Sequence, residues 1–258
     1  MVCIIQARMG SSRLPGKVLE DICSYPMLDW VVYRAKKSSH ISAVMVATTT
    51  DTNDDRIATW CAANQVDYYR GAAQDVLDRF YQAALVARAD VIVRLTADCP
   101  LIDPQVIDDV IDLLLESKAD FSANRLPPPY HRTYPIGLDV EVVLFTALER
   151  AWREANQPFE REHVLPYLYV EKNRFKVSIL DAHQDLGALR WTVDTPQDLT
   201  FIRTLMAELN CNRDISWLRI LDHLQDHPEL SRINADIQHK SFTDVDQRAG
   251  SHFEDNHD

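Results

Sequence analysis

Short apolar runs alternate with stretches of helical period along the 258-residue chain. Val2 to Gln6, Ala43 to Thr48, Asp90 to Leu95 and Leu189 to Val193 are rich in Val, Ile or aromatic residues, as buried strands are. Helical spacing predicts helices over Leu28 to Lys37, Asp54 to Asn64, Asp75 to Arg88, Pro104 to Glu116, Leu144 to Asn156, Pro196 to Leu209 and Ile215 to Gln225. Strands that alternate with helices imply a mostly parallel sheet with helices on both faces. One α/β domain is therefore expected over residues 1–236, with ligands beyond the carboxyl ends of its strands. The periodicity breaks at "NRLPPPYHRTYPIG", which carries four prolines and begins at Asn124. A rigid arm near 124–141 is expected there, leaving the sheet to meet a second substrate or a partner subunit. From Ile237 onward the chain is polar, and residues 237–258 are expected to form a flexible tail.

Composition narrows the functional classes. No run approaches the roughly 20 apolar residues of a membrane span, and Val2 to Ala7 is too short for a signal peptide, so a cytoplasmic protein is expected. The five cysteines are odd in number, scattered and without a CxxC, which indicates neither disulfides nor structural zinc. A formal charge of -12 argues against an extended nucleic-acid surface or an anionic membrane as partner.

Against that acidic background "QARMGSSRLPGK" stands out, because it follows the first strand and holds Arg8, Arg13 and Lys17 with no acid among them. Cations, glycines and serines after a strand suit an anion-binding loop, although three cations on a loop can also simply be solvated. It is not a Walker A loop: five residues separate Gly10 from Gly16-Lys17, and Val18 stands where the magnesium-binding hydroxyl would be. Asp98 and Asp194 each close an apolar run, which places them at the same sheet edge as this loop. Either aspartate alone could cap a following helix. As a pair beside a basic loop they suit Mg²⁺, which is commonly held by one or two carboxylates while phosphates and water supply the rest. "RGAAQDVLDRFYQAA" places Asp75 and Asp78 in a first helical turn, where acids are favourable without any ligand. "QPFEREHVLPYLY" puts Glu160, Glu162 and His163 on a helix, with His163 expected as a pocket or core residue. The chain has no HExxH, GxSxG or Rossmann GxGxxG.

Taken in order, "IIQARMGSSRLPGKVL", "RGAAQDVLDRFYQAA", "VIVRLTADCPLIDP", "GLDVEVV", "REHVLPYLY" and "RWTVDTPQDL" resemble the SpsF-type spore-coat polysaccharide proteins of the cytidylyltransferase family. That family is related to the Kdo and sialic-acid cytidylyltransferases, and the resemblance covers roughly residues 1–210. It implies a GT-A-like nucleotidyltransferase fold and transfer of a nucleoside monophosphate, with CTP the favoured donor, to a Kdo-like or nonulosonic sugar acid with release of pyrophosphate. By the same resemblance Ala7, Arg8, Gly10, Ser11, Thr49, Asp75 and Arg79 would border the nucleotide. Arg13 and Lys17 would stabilise the pyrophosphate, and Asp98 and Asp194 would bind Mg²⁺. Asn124, Asp139, Glu141, Glu162, His163 and Arg190 would form the acceptor pocket, and the family suggests a homodimer. Two rivals follow from the same residues: a glycosyltransferase of similar fold using a nucleotide-sugar donor, and a nucleotide-binding protein without turnover. A DxD motif would favour the first, but Asp98 is followed by Cys99-Pro100.

Overall fold

In the computed structural model residues 1–126 and 132–237 are described; the centre of the predicted arm and nearly all of the predicted tail lie outside them. In chain order the strands are β1 (Val2–Gln6), β2 (Asp21–Ile22), β3 (Tyr25–Pro26), β4 (Ala43–Thr49), β5 (Asp67–Gly71), β6 (Val91–Thr96), β7 (Phe121–Ala123), β8 (Glu141–Leu144) and β9 (Val177–Ile179). The helices are α1 (Met27–Ala35), α2 (Asp55–Ala63), α3 (Val76–Val86), α4 (Pro104–Ser117), α5 (Phe145–Glu154), α6 (Pro158–His163), α7 (Pro166–Tyr169), α8 (Pro196–Glu208) and α9 (Trp217–Asp226). Seven strands form one sheet in the order β5-β4-β1-β6-β8-β7-β9, and β2 and β3 make a separate hairpin. The β5-β4-β1-β6 half is wholly parallel, whereas β8 runs antiparallel to both β6 and β7.

Burial of β1, β4 and β6 on both faces explains why these strands read as apolar runs, whereas the edge strand β5 is partly exposed. Along β1, Cys3 and Ile5 pack into one core with Trp30, Ile107, Phe201 and Ile202; Val2 and Ile4 pack into a second core with Phe80, Leu77 and Leu148. Helices α1, α4 and α8 thus cover one face, while α3 and α5 cover the other.

Two expectations are corrected. Leu189 to Val193 is not a strand but makes only an isolated bridge between Ile136 and Arg190. Its backbone is divided between two segments, because Trp191 N–H donates to the Ile136 carbonyl (2.6 Å) and Val193 N–H to that of Asp98 (2.9 Å), so no ladder can extend. Gly137, at φ +108°, permits this approach: a Cβ there would stand 2.6 Å from the Thr192 nitrogen. Secondly, Cys23 and Cys211 form a disulfide with Cα atoms 5.8 Å apart across 188 residues. The pair meets only because the β2-β3 hairpin folds back toward the end of α8, a juxtaposition that local cysteine spacing does not encode.

Candidate active site

The loop after β1 is held in shape by its own backbone. Ser11 N–H and Gly16 N–H both donate to the Met9 carbonyl (2.9 Å each), and Leu14 N–H donates to Ser11 Oγ (3.3 Å). Gly16 takes φ +76°, a turn that suits glycine, and aims the short 3₁₀ helix Lys17–Leu19 inward. Buried Asp54 anchors the loop to the end of β4, accepting from Met9 N–H (2.7 Å), Thr49 N–H (3.1 Å) and the hydroxyls of Thr48 and Thr49.

Lys17 is buried at 8% exposure, and its ammonium uses all three of its donors. They reach Asp98 Oδ2, Asp194 Oδ1 and the Val193 carbonyl, each at 2.8 Å. Asp194 Oδ2 accepts from Arg13 (3.0 Å) and Arg190 (2.9 Å). Burial would lower the ammonium's pKa, but Asp98 and Asp194 outweigh it and raise it. Burial would likewise push the Asp194 carboxyl up, and Lys17, Arg13 and Arg190 more than reverse this, holding it well below the usual carboxylate range.

Neither aspartate caps a helix. Asp103 caps α4, accepting from Gln105 N–H (2.9 Å), and Thr195 caps α8 in a capping box with Asp198. Asp198 is fully buried and accepts from Arg190, Asn234 and the backbone N–H groups of Asp194 and Thr195. Arg190, expected at the acceptor, instead spans Asp194 and Asp198 and fixes their spacing.

Beside this cluster Arg8, Gly10, Thr49 and Glu162 line a cavity of about 220 Å³ with Asp51, Asn53, Asp54 and the Ala73–Gln74–Val76 edge. Glu162, expected at the acceptor, therefore faces the space shared with Arg8 and Thr49. Four other expected contacts have partners within the protein. Ala7 N–H donates to the Ala47 carbonyl (3.1 Å). Asp75 caps α3 and pairs with Arg161. Arg79 is fully buried and donates through Nη1 to the carbonyls of Ala72 and Ala73, while its Nε and Nη2 are buried without a hydrogen-bond partner; burial and then Arg8 lower its pKa to about 10. The Asn124 amide is used on both sides, by the Leu138 carbonyl (2.7 Å) and Val140 N–H (2.9 Å).

A second charge cluster lies along β6 and β8. Glu141 sits between Arg94, its close ion partner, and Arg125 (3.7 Å), while Asp139 pairs with Arg132 (2.7 Å) and approaches Arg125 (3.8 Å). Arg94 also donates to Gln6 Oε1 (2.9 Å), tying this cluster to the end of β1. Burial, followed by Arg94 and Arg125, pushes the His163 imidazole down to about 4, so it is neutral near pH 7. Arg94 Nε, Arg125 Nε and His163 Nε2 are buried without a hydrogen-bond partner. Such groups are costly unless a ligand or water satisfies them.

Sequence reading missed Asp54, Arg94, Arg125, Arg132 and Asp198. Arg94 had a visible signal, a charge inside the apolar run "VIVRLT", and Asp198 completes a Thr-x-x-Asp capping pattern; Arg125 and Arg132 carry no comparable mark.

With this geometry in view, comparison with known proteins is decisive. The family model for cytidylyltransferases matches residues 2–227. The chain belongs to the cytidylyltransferase family. Among its relatives, the spore coat polysaccharide biosynthesis protein SpsF of Bacillus subtilis is 31% identical over 88% of this chain and 95% of its own length. A 3-deoxy-manno-octulosonate cytidylyltransferase of Anaeromyxobacter is 31% identical over 79% of this chain and 96% of its own. A solved cytidylyltransferase from Leptospira borgpetersenii superposes with a TM-score of 0.85 at 32% identity, covering 92% of this chain and 99% of that one. The α/β architecture of this cytidylyltransferase-family chain is thus a nucleotidyltransferase fold.

Proposed function

We propose that the chain transfers a cytidylyl group from CTP to a hydroxyl of a Kdo-like or nonulosonic sugar acid, releasing pyrophosphate, in the cytoplasm and with Mg²⁺. Family membership supports CTP as the donor, and the Kdo-cytidylyltransferase and SpsF relatives support a sugar-acid acceptor destined for a surface glycan. The observation that carries the reading is the convergence of Lys17, Asp98 and Asp194 on one point at the carboxyl edge of the parallel half-sheet.

The donor set fits Mg²⁺. Two aspartate oxygens already converge on one cationic nitrogen, and this ion commonly takes one or two carboxylates and completes its shell with phosphate and water. Asp98 and Asp194 would hold it, and when bound it would neutralise phosphate charge and polarise the α-phosphoryl group. Arg8 and Arg13, at the mouth of the loop, would orient the triphosphate and offset charge on the departing pyrophosphate. Buried Asp54 keeps the loop amides in register, and Arg190 and Asp198 keep Asp194 aimed. On the other side of Gln6, Arg94 and Arg125 flank Glu141, a pattern suited to an acceptor with both a carboxylate and hydroxyls. Neutral His163 beside them is placed to hydrogen-bond a hydroxyl rather than to pair with a charge.

The test is a matrix of four nucleoside triphosphates against sugar acids with Mg²⁺, reading pyrophosphate. Release with CTP and a Kdo-like or nonulosonic acid is expected. If no pair releases pyrophosphate while a nucleotide still raises Tm, the reading fails.

A further inference from the structure

We propose that Lys17 is an internal competitor for the divalent cation, so that metal binds tightly only when a triphosphate offers the lysine another partner. The inference rests on Asp98 and Asp194 as the metal ligands. Lys17 Nζ stands 2.8 Å from Asp98 Oδ2 and 2.8 Å from Asp194 Oδ1, so one oxygen of each carboxylate converges on the ammonium. The remaining Asp194 oxygen is taken by Arg13 and Arg190 at 3.0 and 2.9 Å. A divalent cation held by these same two carboxylates would compete with the ammonium for the oxygens it occupies, because two cations repel strongly at such close range. Lys17 must therefore swing out before the ion can bridge.

Departure would break three hydrogen bonds, including the one to the Val193 carbonyl, so the lysine needs another anion within reach. It lies at the end of the loop whose other cations, Arg8 and Arg13, are those assigned to the triphosphate. A bound triphosphate supplies acceptor oxygens there, and the ammonium passes from the carboxylates to the phosphates as the metal replaces it. Metal and nucleotide then strengthen each other's binding beyond what their direct contact provides. The pair of aspartates stays charge-balanced throughout, which keeps two like charges from repelling across the site.

The test measures Mn²⁺ affinity by calorimetry, with and without an α,β-methylene analogue of CTP, in the unaltered protein and in Lys17→Met. Without nucleotide, Lys17→Met is expected to bind Mn²⁺ about 10-fold more tightly than the unaltered protein, and to show a smaller gain on adding the analogue. Affinity equal to or weaker than that of the unaltered protein overturns the proposal. Asp98→Asn separates the two claims: if Mn²⁺ affinity with the analogue is unchanged in that variant, the metal assignment itself is wrong. A second readout uses the unaltered protein in case Lys17→Met folds poorly. Its buried ammonium should give a slowly exchanging ¹H–¹⁵N signal that shifts when Mg²⁺ and the analogue are added together. A signal that does not respond contradicts the exchange.

Discussion

The two charge clusters at the edge of the sheet differ in which ion stands at the centre. In one, a cation sits at the centre of two carboxylates: Lys17 between Asp98 and Asp194. In the other, an anion sits between two guanidinium groups: Glu141 between Arg94 and Arg125. Under the proposed function the first would exchange one cation for another, and the second would receive an anionic group beside a carboxylate that can accept from hydroxyls. Gln6 joins them, since it ends β1 and accepts from Arg94 while the loop that follows it carries Lys17.

The largest expected effect breaks the second cluster. Arg94→Met leaves Glu141 buried without its close partner, which should cost about 3–5 kcal/mol of stability, read as a fall in the denaturation midpoint. Lys17→Met, in contrast, leaves Asp194 paired with Arg13 and Arg190 and deprives Asp98, which is 25% exposed and keeps water contact, of its lysine, so its stability loss should be smaller. On turnover the order reverses: Asp98→Asn should lower pyrophosphate release by about 10²–10³-fold, as expected for loss of a group that organises charge in the transition state. Near-normal release in that variant would remove Asp98 from the reaction.

The disulfide sharpens the contrast because it sits on only one side. Cys23 follows the 3₁₀ helix of Lys17, and Cys211 follows α8, which begins just after Asp194. Reduction, or Cys23→Ser, should cost about 2–4 kcal/mol by freeing this long loop in the unfolded chain. The loss should be the same in Glu141→Gln as in the parent.

The smallest effect is a pH dependence that separates the clusters. His163 is held at about 4 when folded, against roughly 6.5 when unfolded. The unfolded chain therefore binds more protons between those values, and stability falls as pH drops through that window, by about 1–2 kcal/mol from pH 7 to 5. His163→Gln should flatten that limb. Asp194 is depressed below its unfolded value, so its contribution persists above about pH 4 and is lost as pH falls further. That lower limb should survive in His163→Gln and change in Asp194→Asn. An unaltered upper limb in His163→Gln would mean that the imidazole is not the group responsible.

The inner parallel strands β1, β4 and β6 were legible because burial on both faces writes itself as continuous apolar runs, as in "VCIIQ" and "VIVRLT", whereas the edge strand β5, "DYYRG", is partly exposed and carries no such run. The half-sheet beyond β6 was not legible: β7, β8 and β9 are three or four residues long, too short for any periodicity to register. The site divides similarly. Arg8, Lys17, Asp98 and Asp194 announce themselves by following apolar runs, and the structure gathers Lys17 with both aspartates. The protein partners of Arg190, Asn124 and Arg79, which are Asp198, the Leu138 carbonyl and the Ala72 carbonyl, carry no mark in sequence, because they depend on tertiary contacts. The Cys23–Cys211 pair was invisible for the same reason.

In the proposed reaction the α-phosphate of CTP becomes joined to a sugar-acid oxygen. Phosphorus NMR of a reaction with CTP, Mg²⁺ and the acceptor found active in the nucleotide matrix follows that atom directly. The account predicts one new phosphodiester signal, from a product containing cytidine, a single phosphorus and the acid, together with an equal amount of pyrophosphate. CTP that stays intact with every sugar acid, or a product in which no phosphorus is bonded to the acceptor, would contradict it.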